Sequence, residues 1–204
     1  MAPVSRSDPT SPDARAAALA LLLHRHSTGP KHLREPGPSD AHVVRLAQAA
    51  LRAPDHGRKI PFRFAVVRGA AKSRLADLFA DYGRRRGKPA DDVAAERDRA
   101  EHPPVVIAVI ARIAPDDEIP EHEQWMAVGG AVANAMNALQ LMGYAGKVVS
   151  GARAADPEIA GAFCGPGETL VGWIAAGTAA TPPKAREADA PAALVRRWPD
   201  EGGT

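Results

Sequence analysis

At 204 residues, 45% of them hydrophobic and 25% charged, the chain has enough apolar material for one core and too little length for two comfortable domains. Its formal net charge of +2 excludes a strong field for nucleic acid or an anionic membrane surface. The single cysteine, Cys164, excludes an internal disulfide and a thiolate zinc site, and no apolar run approaches the roughly 20 residues of a membrane span.

Residues 1–13 ("MAPVSRSDPTSPD") are rich in Pro, Ser and Asp with nothing periodic to bury, and they read as a disordered leader. They lack the apolar stretch of a signal peptide, so a cytoplasmic chain is expected. From Asp13, a candidate cap, "DARAAALALLLHRH" has helical composition and must stop before Gly29-Pro30, delivering Arg25, His26 and Ser27 into a loop. "REPGPSD" reads as a linker, after which Ser39 or Asp40 caps a helix with Val43, Leu46, Ala47, Ala50 and Leu51 on one stripe. Arg52 ends that helix and Pro54 breaks it.

Phe62, Phe64 and Val66 alternate with Arg63 and Ala65, the pattern of a half-buried strand closing at Gly69. Helices are expected at 70–86 and 89–101. "PPVVIAVIARIAP" is a continuous β-branched run and suggests a central strand, followed by one long helix over 121–142. "GYAGKVVSG" holds a short strand, 156–163 a short helix and "TLVGWIAAG" a last strand. The whole reads as an α+β sandwich with a sheet of about four or five strands between helices.

The chemistry is sparse. G-x-S-x-G, H-E-x-x-H, the Rossmann G-x-G-x-x-G and the P-loop are all absent. Cys164 reads as an inert buried thiol, His122 as a solvated residue near a helix start, and "GRRRGK" at 83–88 as a solvated loop. Two stretches remain. In "RAPDH", Arg52 and His56 either flank a plain turn or contact a ligand. In "HRHS", Arg25 and Ser27 suit a phosphate, because a guanidinium donates two hydrogen bonds and a hydroxyl a third.

Taken in order, the Arg-x-Ser loop, "REPGPSD", "LRAPDH", "IPFRFAVVRG", "PPVVIAVIA", "IPEHEQ", a small-residue helix, "GYAG…SGA" and "LVGWIAAGT" resemble the compact branch of the FMN-dependent nitroreductases over about residues 19–178. The resemblance implies a nitroreductase-like α+β fold, its central mixed, mostly antiparallel sheet flanked by helices, in a homodimer. Residues 14–179 would form the domain and 180–204 an arm contacting the partner subunit. FMN would sit in each of two clefts at the subunit interface, reduced by NADH or NADPH and reoxidised by a nitroaromatic, quinone or similar small electron-poor acceptor in ping-pong turnover. No nucleic-acid or membrane partner is implied.

By position, the resemblance gives Arg25, His26 and Ser27 to the ribityl phosphate and ring edge, and Arg52 and His56 to the flavin. Ser150 would end a third flavin-contacting element, and Ala138 to Gly143 fall near the nicotinamide-nucleotide contact. Because the flavin carries the hydride transfer, no catalytic triad is expected of the protein. The family's Trp-Arg before Ser-Gly is Val148-Val149 here, leaving Lys147 as the nearest positive substitute. Each charge-assisted hydrogen bond lost is worth on the order of 1.5–3 kcal/mol. The alternative expectation is therefore a flavin-poor member acting as a dimeric binding or scaffold protein. The run at 83–88 has the NADPH 2′-phosphate as its alternative contact.

Overall fold

The computed structural model describes residues 8, 10–115, 118–181 and 191–198. Most of the leader, residues 1–7 and 9, lies outside them. The first helix, α1, spans Pro12–Leu23 and is capped by Ser11, whose hydroxyl accepts from the Ala14 amide at 3.3 Å. The sequence pattern pointed to Asp13, which instead sits in the first turn, where its charge complements the helix dipole. No described residue of α1 is buried, and Leu19, Leu21, Leu22 and Leu23 all stand exposed.

Just ahead of and into the "REPGPSD" linker, Leu33–Arg34 forms a two-residue strand, β1. Ser39 then caps α2 (Asp40–Ala50), accepting from the His42 amide at 3.2 Å, with Leu46 and Ala50 buried. Leu51 belongs to the sequence stripe but falls past the helix end and is exposed. Next come β2 (Phe62–Val67), α3 (Ala70–Arg85), α4 (Ala90–Glu101) and β3 (Val105–Ala111). The chain continues through α5 (Glu121–Leu141), β4 (Ala145–Val149), α6 (Pro157–Gly161) and β5 (Thr169–Ala179).

The five strands form one sheet in which every described pairing is antiparallel. β5 is its hub. β3 runs along 169–176, with β2 beyond it, while β4 and β1 pair with 173–177 and 178–179. Alternation along β3 assigns the two faces. Val106, Ala108 and Ile110 pack with Trp173 under α3, whereas Val105, Ile107 and Val109 pack with Ile174 under α2 and α5. Burial on both faces explains why β3 reads as an unbroken apolar run.

At the ends of the central strands, Glu168 accepts from Arg63 at 2.8 Å, Arg112 at 2.7 Å and the Gly165 amide at 2.9 Å. These hydrogen bonds, Arg63 first, hold its carboxyl far below the usual carboxylate range. The basic run at 83–88 is solvent-exposed over 84–87, but it is only partly a loop. It ends α3 and turns into α4, with Arg84 on Asp81, Arg85 on Asp156 and Glu158, and Lys88 on Glu96. Among the described residues, no helix is long and apolar enough to cross a membrane.

A register shift between Val109 and Ile110 puts Gly172 at φ +150°, where a Cβ would meet the Val149 carbonyl oxygen at 2.6 Å and Ser150 Cβ at 2.9 Å. Only glycine lets the end of β4 lie so close to β5. Gly172→Ala is expected to cost about 1–3 kcal/mol, a fall of roughly 2–12 °C in a circular-dichroism melt, and an unchanged midpoint would contradict this packing.

Candidate functional site

Past α1, residues 25–27 run alongside β4, held there by the Thr28 amide donating to the Gly146 carbonyl at 3.0 Å. Arg25 and His26 are half-buried and Ser27 is exposed. His26 Nδ1 donates to the His24 carbonyl at 3.0 Å, which leaves Nε2 of the neutral ring as an acceptor. That atom is buried and has no donor in the structure.

The same loop continues as Gly29–Pro30–Lys31 into the wall of a cavity of about 470 Å³ on the sheet face beneath α3 and α4. This volume lies in the range of small-molecule sites. Its floor is apolar, from Phe79, Val106, Val149, Trp173 and Ala175. Its wall is cationic: Lys31, Lys147, Arg99 and Arg153 face it together with His102, against one carboxylate, Asp98. Two buried donors of the lining residues, Trp173 Nε1 and Arg153 Nε, have no acceptor. A floor for a flat ring, a surplus of positive charge and unmet donors suit an aromatic anion.

Glu96 organises the cationic wall. Its carboxylate is 1% exposed and receives Lys88 at 2.6 Å, Arg99 at 2.9 Å and Arg153 at 2.5 Å. Burial alone would raise its pKa, but the bonds and charges of Lys88, Arg153 and Arg99 outweigh that and hold it below the usual value. Cys164, which does not line the cavity, has its thiol pushed up by burial and the nearby Glu168, as fits an inert side chain. Among the described residues no cluster could hold a metal ion.

Of the residues singled out from sequence, Lys147 lines the cavity, and Arg25, His26 and Ser27 lead into the loop that walls it. Val148 and Val149 face opposite ways, Val149 into this cavity and Val148 into a smaller apolar one, of about 230 Å³, between the sheet and α5. Ser150 is exposed beside Gly172. Gly143, at φ +84°, closes α5 by donating to the Gln140 carbonyl at 3.0 Å, a helix-ending role. Arg52 and His56 lie elsewhere. Ala53 and Pro54 pack against α5 at Gly130, and His56 Nδ1 is 2.8 Å from Glu123 Oε2, so no contact among the described residues joins them to the cavity within one subunit.

Sequence reasoning missed Lys31, Arg99, His102, Arg153 and Trp173. They come from a 3-10 turn at Pro30–His32, from α4 and the bend after it, from the turn after β4 and from β5, and no spacing along the chain reveals that they share a wall.

Comparison with known proteins adds an independent line. The family model described as "Nitroreductase family" matches residues 22–178. The Escherichia coli K12 protein named "Putative NAD(P)H nitroreductase YdjA" is 30% identical over 162 residues, covering 79% of this chain and 87% of that protein. A nitroreductase-like family protein of Bacillus cereus superposes with a TM-score of 0.75 at 17% identity, covering 97% of this chain and all of the other. The FMN-dependent nitroreductase NfnB of Mycobacterium smegmatis, solved in complex with NADPH, gives 0.62 at 17% identity over 81% of this chain and 89% of its own.

Proposed function

The chain belongs to the nitroreductase family, and on that premise we propose that it is an FMN-dependent NAD(P)H oxidoreductase passing hydride through bound flavin to nitroaromatics, quinones or similar acceptors in ping-pong turnover. What carries the reading is the cationic cavity with an apolar floor beside the Arg25–Ser27 loop. Its size, its ring-compatible floor and its unmet donors fit FMN. Flavin and nicotinamide would supply the redox chemistry, and the protein's part is to hold and orient them.

The roles of the protein are to bind and to orient. Lys147 faces the anion from β4, and Arg25 and Ser27 approach from the loop paired to that strand. His26 offers Nε2 to a ligand hydroxyl. Arg52 and His56 serve the site of the second subunit of a homodimer, and Ser150 and Gly143 border it from the ends of β4 and α5. The exposed leucines of α1 and the exposed Trp125 and Met126 of α5 support such a dimer, being too much apolar surface for a lone subunit. The described tail, 191–198, is exposed throughout and includes Trp198. It belongs to the arm, 180–204, that reaches the partner; residues 182–190 and 199–204 of the arm lie outside the described residues. A cytoplasmic setting is part of the same proposal.

One observation favours a second reading: Val149 brings no charge to the cavity, as expected of a flavin-poor dimeric binding protein. Absorbance separates the two. The reductase yields protein with flavin bands that NADH or NADPH bleaches and a nitroaromatic restores; a colourless protein that takes up no added FMN would leave the binding role. Arg25→Ala and Arg52→Ala are each expected to weaken FMN retention about tenfold or more, and unchanged affinity in both would misplace the site.

A further inference from the structure

We infer that Arg153, positioned by Glu96, binds the flavin phosphate and supplies the fixed positive charge that position 149 lacks; the inference rests on reading the cavity as the FMN site. Val149 ends β4 facing the cavity without charge, and four residues later Arg153 reaches the same wall through a turn at Gly151, φ +100°. Its side chain is 16% exposed and held from two sides. One terminal nitrogen donates to Glu96 Oε2 at 2.5 Å, and Cζ lies 5.3 Å from the Phe79 ring centroid. Nε is buried without an acceptor.

A guanidinium fixed this way has lost its rotamer freedom before any ligand arrives, so its remaining donors bind at little further entropic cost. Glu96 cannot neutralise the cluster, because one carboxylate faces three cations, Lys88, Arg99 and Arg153. Arg153 is the least exposed of the three, at 16% against 34% for Lys88 and 47% for Arg99, so its charge is the one least screened by water and the one a ligand anion gains most from meeting. Of the groups that FMN carries, the phosphate alone is a dianion and matches the planar fork of an arginine. Glu96 touches no ligand in this scheme and acts as a positioning residue.

The test is titration of FMN and of riboflavin, which has the same ring without the phosphate, followed by flavin fluorescence on the full chain. Arg153→Gln is expected to raise the FMN dissociation constant about 10- to 100-fold with riboflavin unchanged, and Arg153→Lys to lie between. Glu96→Gln is expected to act in the same direction, again without loss of riboflavin binding. Equal losses for both flavins, or no loss for FMN, would overturn the assignment. A parent protein that binds neither flavin would overturn the FMN reading itself. Should Glu96→Gln fail to fold, Arg153→Gln and Arg153→Lys decide the question.

Discussion

Ala175→Trp is expected to abolish FMN uptake while leaving the melting temperature within a few degrees of the parent. Ala175 is 1% exposed in the middle of β5, opposite Val106 on β3 and Lys147 on β4, and all three line the large cavity. In a close-packed core so large an insertion costs typically 1–3 kcal/mol or more, through off-rotamer side chains and backbone shifts. Here the indole has about 470 Å³ into which it can extend. The space that spares the fold is the space the flavin needs, so affinity and stability part company. Flavin absorbance after incubation with FMN, read beside a thermal melt, checks both halves. Full flavin occupancy in the variant would place the cofactor elsewhere, whereas a collapse in stability would show the cavity to be already filled by the chain.

Glu96→Gln is expected to destabilise the protein by on the order of 3 kcal/mol at neutral pH, or roughly 6–12 °C in melting temperature. The glutamine keeps shape and hydrogen-bonding atoms but leaves Lys88, Arg99 and Arg153 around a neutral group. The pH dependence has a definite sign. The folded-state pKa of Glu96 lies below that of an unfolded glutamate, about 4.3. Its contribution is therefore fully present above that value and is lost as pH falls through the folded pKa. The gap between parent and variant should be widest near pH 7, begin to narrow as pH falls through about 4.3, and close only below the depressed folded-state pKa. Glu168 follows the same rule in both proteins and cancels from the difference. A constant gap across the titration would mean that packing, not charge, is what Glu96 contributes.

Much of the fold was legible because single segments carried unambiguous physics. β3 is apolar at every position because both its faces are covered, and α5 shows a stripe of small residues, Gly130 and Ala131 among them, that lets it lie close on Ala50 and Ala53 at the end of α2. β1 was not legible, since two residues make a strand only through their partner β5. The start of α1 was misread by two positions because Ser11 and Asp13 are both good caps and only the backbone turn decides between them. Of the residues lining the candidate site, Lys147 is among those singled out along the chain, and the loop at 25–27 leads to the wall without lining it. The rest of the cationic wall could not, because Lys31, Arg99 and Arg153 meet only after α4 has folded over the sheet. The basic run at 83–88 is exposed over 84–87 as its composition suggests, but its ion pairs were not legible: Arg84, Arg85 and Lys88 meet Asp81, Asp156, Glu158 and Glu96, while Arg86 lies over the Tyr82 ring.

That β5 is the hub of the sheet has a consequence for synthesis on the ribosome. β3 is complete about 60 residues before β5 begins, an interval of roughly 3–12 seconds at ordinary elongation rates. During that time the most apolar strand of the nascent polypeptide has β2 on one side and nothing of its own to pair with on the other. A holdase that covers this border, or fast translation of residues 112–168 that shortens the interval, would protect the unpaired edge of β3 until β5 arrives.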